Sequence, residues 1–211
     1  MRRLLIRLAT VALLPLAAAA QDAPKSGAKK AVQAAAPLAQ FAGMKVAVIP
    51  VQFFRGDTAF ATPVGAVMRA QFDTLLSTSI EEHGLKGMWA TPLEVIRSGR
   101  RNVMYAGDPA NMGAFNIRNG VAKDAQLPDP FAGNLRRIVA LHDARYALVP
   151  IELFVVPDRP GGSLVVRLIL VDCRLNQAVW QAELMGEKGS AFSPELIQKL
   201  TNRLAELAVG Q

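Results

Sequence analysis

The 211-residue sequence holds two histidines, His83 and His142, one cysteine, Cys173, and a scatter of carboxylates. A general base, a thiol nucleophile or a metal centre would have to be built from these side chains. Two histidines and one cysteine cannot assemble the usual zinc cages, and a lone cysteine cannot close an internal disulfide. The sequence has no Gly-x-Ser-x-Gly elbow, no Gly-Lys-Ser/Thr phosphate loop and no His-Glu-x-x-His motif. His83 falls at the expected end of a helix, where a cation suits the dipole, and His142 on an apolar helix face. Both read as structural. Cys173 follows Asp172, and an acidic neighbour disfavours the thiolate. Glu81 and Glu82 are adjacent on a helix and point apart. Asp143, Glu152, Asp158 and Asp172 lie on or beside a strand-rich section, where a convergent pair would suit glycoside hydrolysis. The aromatic platform for a sugar is thin, with only Trp89, Trp180 and two tyrosines. The chemistry-bearing residues thus point to a protein that is not an enzyme and uses no cofactor or metal.

Binding is the better use of what remains. Arg97, Arg100 and Arg101 form the densest basic cluster, at the end of an expected helix. They can cap terminal carbonyls there or dock an acidic partner or anionic glycan. Residues 102–128 are rich in glycine and asparagine and show no sustained periodicity. A stretch of that length inside a compact domain is expected to be functional or mobile. Its members Tyr105, Met112, Phe115 and Ile117 are candidates to pack against a partner, and deleting 106–126 is expected to spare folding. Nucleic acid is not an expected partner despite a pI near 10.0, because the aromatics are not interleaved with the basic residues.

The elements that must position these groups follow from pattern. Lys45–Val51 is a β-branched run, apolar on both faces, and reads as an internal strand. Thr62-Pro63 is the expected start of a helix with Val64, Met68, Phe72, Leu75, Leu76 and Ile80 at helical spacing, stopped at Gly84. A short strand over 87–90 leads to Thr91-Pro92-Leu93-Glu94, a capping box, and a helix ending near Gly99. Asp129-Pro130 opens another helix bearing Phe131, Leu135, Ile138 and His142. Three strands, 145–156, 163–173 and 178–185, are separated by turns too short for anything but an antiparallel meander. A last helix, capped by Ser193, carries Leu196, Ile197, Leu200, Leu204 and Leu207. The expected fold is α+β: a mixed sheet with a C-terminal antiparallel β-meander and helices packed on it.

The segments VAVIPV, DARYALVPIEL and SLVVRLILVDCRLNQAVWQAEL resemble a group of bacterial envelope domains that includes the amino-terminal domain of TolB, CsgG and LpoB. Asp172, the turn 174–177 and Trp180 occupy the places of that group's final meander, with Asn176-Gln177 where a Thr-Gly turn is usual. The resemblance implies a non-catalytic envelope domain that binds other proteins, and it assigns no active-site residue.

Compartment is read from the start of the chain. Arg2, Arg3 and Arg7, the apolar stretch Leu8–Leu16 and the run Ala17–Ala20 have the form of a signal peptide, with cleavage expected before Gln21. Residues 21–43, rich in Ala, Lys and Pro, read as a flexible linker, and 44–211 as a single domain with an insertion at 102–128. Removing three arginines takes the formal charge from +7 to +4. The product is expected in the periplasm or secreted, acting through envelope proteins as an assembly or scaffold component. The alternative is a periplasmic binding module for a small ligand or glycan, and Lys25, Lys29 and Lys30 offer a membrane-surface contact.

Overall fold

The computed structural model describes residues 38–210 apart from positions 59, 61, 123 and 159. The expected signal segment, 1–20, and most of the expected linker, 21–43, lie outside the described residues. The chain runs β1 (Val46–Val48), β2 (Phe53–Arg55), α1 (Gly65–Glu82), β3 (Trp89–Ala90), α2 (Pro92–Arg101), α3 (Val103–Ala106), α4 (Phe131–Ala140), β4 (Tyr146–Pro157), β5 (Gly162–Asp172), β6 (Gln177–Gly189) and α5 (Pro194–Val209). The six strands form one mixed sheet in the order β3-β1-β4-β5-β6, with β2 also paired to β4. β1, β2 and β3 join by parallel pairing, whereas β4, β5 and β6 form the expected antiparallel meander.

Of the β-branched run at 45–51 only Val46–Val48 is strand, and a second strand, Phe53–Arg55, follows beyond it. Pro50 lacks an amide hydrogen and cannot continue a ladder on both sides. The chain breaks at Pro50–Gln52 and resumes on β4 as β2, with Val46–Val48 opposite Tyr146–Leu148 and Phe53–Arg55 opposite Glu152–Phe154. Asp73 of α1 secures the break: its Oδ1 accepts the Val51 amide at 2.9 Å. Val46, Val48 and Val51 enter a core under α1, α5 and a 3₁₀ turn at Leu38–Phe41. Ala47 and Ile49 enter a second core under α4 on the opposite face. The strand is therefore internal and covered on both faces, as its composition requires.

Burial pushes the Asp73 carboxyl up to about 7, against the opposing pull of the Val51 amide and of Arg69. In the unfolded chain this group ionises near 3.8. Between those values the folded protein holds a proton that the unfolded chain releases, so this group's contribution to stability falls as pH rises through the window. Asp73→Asn retains an oxygen for the Val51 amide and cannot ionise. The variant is expected to match the parent near pH 4 and exceed it by a few kcal/mol near pH 8, read from paired denaturant titrations. A variant less stable than the parent at pH 8 contradicts this assignment.

Local signals behave as the residue types dictate, with some shifts of boundary. Thr91 and Glu94 form the reciprocal capping box: Thr91 Oγ1 accepts the Glu94 amide at 3.3 Å and Glu94 Oε2 accepts the Thr91 amide at 2.8 Å. Helix α1 starts at Gly65 with Val64 as its N-cap, so Thr62-Pro63 lies outside it. His142 lies beyond the end of α4, in the turn before β4, and not on the helix face. Leu38 and Phe41 are buried in the first core, and the Trp89 indole donates to the Phe41 carbonyl at 3.2 Å. Residues 38–41 therefore belong to the fold and not to the tether.

Candidate functional site

The loop between α2 and α4 is the largest departure from expectation. Residues 102–128 contain α3 and a 3₁₀ turn, Ala114–Ile117, and they supply Ala106, Met112, Ala114, Ile117 and Leu127 to the second core. Buried Gln52, in the β1–β2 break, reaches out to hold the loop. Its amide nitrogen donates to the Pro109 carbonyl at 2.9 Å and its oxygen accepts the Met112 amide at 3.1 Å. Met112 and Ile117, expected as partner contacts, are each 1% exposed. They are core residues because a sheet face without a long crossing helix must be covered by something apolar, and this loop covers it. Tyr105 and Phe115 are exposed at 53% and 72%, together with Val103 and Met104.

Beyond Ile117 the loop crosses the sheet and meets a layer of arginines. The β4 alternation changes phase at an irregularity between Pro150 and Glu152: Ala147, Val149 and Ile151 face the second core, whereas Leu153 and Val155 face the first. A bulge re-aims side chains in this way, and it leaves Glu152 buried. Arg118 donates to Glu152 Oε1 through Nε at 2.9 Å and through Nη2 at 2.5 Å. Arg167 reaches Oε2 at 3.4 Å and also pairs with Glu183, and Arg55 stands 3.7 Å away. Guanidinium groups of Arg55 and Arg167 lie over the Phe154 ring, and that of Arg118 over Phe53, which meets Phe115 edge-to-face. Here cation–π and ion-pair contacts replace a covering helix. Glu152 is thus a buried counter-ion shared by three arginines.

The other chemistry-bearing residues are similarly occupied. Asp172 accepts Arg145 Nε at 3.0 Å and the amides of Arg174 and Leu175 at 3.0 and 3.2 Å. Burial raises its pKa, but those bonds outweigh it and hold the carboxyl below its usual range. It shapes the β5–β6 turn, where Asn176 adopts a φ of 56°. Asn tolerates this left-handed conformation. Its side chain also donates to the Leu127 carbonyl at 3.1 Å, a tie to the loop that glycine would lack. Cys173 is buried, and burial with the adjacent Asp172 pushes its thiol up to about 12, which makes it an inert thiol. His83 Nδ1 lies 2.8 Å from the Ser79 carbonyl at the end of α1. His142 Nε2 lies 2.7 Å from Ser98 Oγ, and burial holds its pKa below the usual value despite nearby Glu94. Among the described residues, no group of three His, Cys, Asp or Glu side chains could hold a metal ion.

Arg97, Arg100 and Arg101 are all exposed on α2. The carbonyls at the end of this helix are served by Asn102: its amide donates to Ser98 and Gly99, and its side chain donates to Ser98 at 2.9 Å. Arg97 and Arg101 line a cavity of about 450 Å³ together with Lys45, Glu94, Ser98 and His142. Arg100 does not line it. The sheet edge is less open than the strand order alone suggests: the Asp124 amide donates to Ala178 and the Leu127 amide to Asn176, so the loop covers the first residues of β6.

Solved structures with a similar arrangement are bacterial. The PelC dodecamer from Paraburkholderia phytofirmans is 15% identical over 82% of this chain and 93% of its own, with a TM-score of 0.39. LpoB from E. coli is 11% identical over 88% of this chain and 84% of its own, with a TM-score of 0.40. Lipoprotein GNA1162 from Neisseria meningitidis is 12% identical over 80% of this chain and 99% of its own, again at 0.40. The likeness to LpoB expected from the meander and the β-branched strand is thereby met. Similarity at this level assigns no role to any residue. No protein-family model and no curated protein sequence matches the chain.

Proposed function

We propose that this chain is an exported bacterial cell-envelope protein that catalyses no reaction and acts through contacts with other envelope proteins, as an assembly or scaffold component. Residues 1–20 serve as its signal peptide, the following segment as a tether, and the remainder as one folded domain. The observation that carries the reading is the division of labour within the loop. Ala106, Met112, Ala114 and Ile117 anchor it in the core, while Val103, Met104, Tyr105 and Phe115 are held in solvent. Large apolar side chains presented on a fixed backbone lose little entropy on association and suit the centre of a protein interface. The candidate carboxylates, histidines and cysteine are meanwhile taken up by ion pairs, turns and burial.

Met104→Asp with Phe115→Ser tests this reading, because Met104 is 97% exposed and Phe115 72%. The double variant is expected to fold, to reach the periplasm in a form beginning at Gln21, and to lose its partners on crosslinked co-purification from envelope extracts. Unchanged partner recovery by the folded variant contradicts the proposal, as does retention of the full-length form in the cytosol.

A further inference from the structure

The cavity beside β3 has a charge arrangement that the fold itself does not use. Arg97 and Arg101 stand one helical turn apart on α2 and both line it, with Lys45 contributing from the residue before β1. Like charges at this spacing repel on a helix, at a small cost to its stability. An arginine near a helix C-terminus ordinarily repays that by capping carbonyls, but Asn102 fills that role here. Among the described residues neither Arg97 nor Arg101 has a hydrogen-bond or ion-pair partner. Among the described residues Lys45 pairs with Asp143, whose side chain is 89% exposed, and an exposed pair of this kind contributes little stability. The carboxylate lining the cavity, Glu94, is tied through Oε2 to the Thr91 amide. Ser98 and His142 add polar atoms to the wall.

From this arrangement we infer that the cavity is a binding site for a small dianion, a phosphate monoester or a dicarboxylate, gripped by Arg97 and Arg101 and neutralised with the help of Lys45. Two unpaired guanidinium groups, with Lys45 beside them in an exposed pair, favour a doubly charged group over a singly charged one. Guanidinium forks match the oxygens of phosphate and carboxylate in geometry. A volume of about 450 Å³ lies within the usual range for small-molecule sites and exceeds the need of a bare ion. The cavity therefore has room for a body of about sugar size beside the charged group. This inference goes beyond the contact function and stands whether or not partners bind the loop.

Isothermal titration calorimetry at low ionic strength tests it, with glucose 6-phosphate, inorganic phosphate and malate as dianions and with acetate and glucose as controls. Binding of at least one dianion is expected with a Kd on the order of 0.1–1 mM, about tenfold or more tighter than either control. Binding by the phosphates alone, by malate alone or by both supports the site and names its class. R97Q/R101Q is expected to lose that binding by about tenfold or more with an unchanged melting temperature, while R100Q retains it. Absence of binding by every dianion up to about 10 mM, or equal binding by R97Q/R101Q, overturns the inference.

Discussion

Deleting residues 106–126 is expected to abolish cooperative folding. The deletion removes Ala106, Met112, Ala114 and Ile117, each about 1% exposed, from the core beneath α4. It also strands Gln52, a buried amide whose loop contacts are the Pro109 carbonyl and the Met112 amide. Glu152 loses its two short bonds to Arg118 and keeps only the longer contacts to Arg167 and Arg55. Removing one partner of a buried charge costs about 3–5 kcal/mol, and emptying a core site of one large apolar side chain about 2–5 kcal/mol. With Met112 and Ile117 both lost the sum is about 7–15 kcal/mol, which matches the usual net stability of a domain, about 5–15 kcal/mol. Circular dichroism melting and proton NMR dispersion of the purified deletion check this, with a cooperative melt as the contrary result. Point variants separate burial from loop length. Met112→Ala is expected to cost about 2–5 kcal/mol, whereas Phe115→Ala, at an exposed position, is expected to cost about 1 kcal/mol or less.

Val48→Asp is expected to leave the protein unfolded. Val48 is fully buried in the first core and sits opposite Leu148 in a strand flanked on both sides by β3 and β4. The cluster around it is built of hydrophobic side chains. Ionised, the group bears a desolvation penalty of several kcal/mol; protonated, it remains a polar group without a partner, and the valine packing is lost in either state. Val64→Asp is the control. Val64 is 75% exposed and is the N-cap of α1, a position where an acidic side chain suits the helix. A stable Val48→Asp protein would contradict the placement of β1. Loss of folding in Val64→Asp would contradict the start of α1.

Where sequence pattern and structure agree, the signal is local. The run VAVI declares an internal strand because no charge interrupts it. Thr91 and Glu94 declare a helix start because their side chains serve each other's amides across three residues. The short turns after Val156 and Asp172 leave antiparallel pairing as the only geometry. Where they part, the deciding contact is distant in the chain. Gln52 lies between two short strands and gives no sign that it will hold residues 109 and 112. Met112 and Ile117 carry no helical or alternating period, since each is placed by an irregular backbone pinned from elsewhere. Glu152 sits in an apolar strand and finds three arginines from β2, the loop and β5, on a face set by a bulge that residue types alone do not announce. The cavity is legible only in part: Arg97 and Arg101 mark one wall, but Lys45 and His142 reach it through the parallel pairing of β1 with β3 and β4.

On the proposed function, the exposed side chains of the anchored loop are what envelope partners meet. Photocrosslinking in living cells tests it most directly, with a photoreactive amino acid placed at Met104, Tyr105 or Phe115 and, as a control, at exposed Lys199 on α5. Discrete adducts with envelope proteins are expected from the three loop positions and none from position 199. Loop positions that yield no adduct in cells where the folded protein is present, or adducts from position 199 alone, would contradict it.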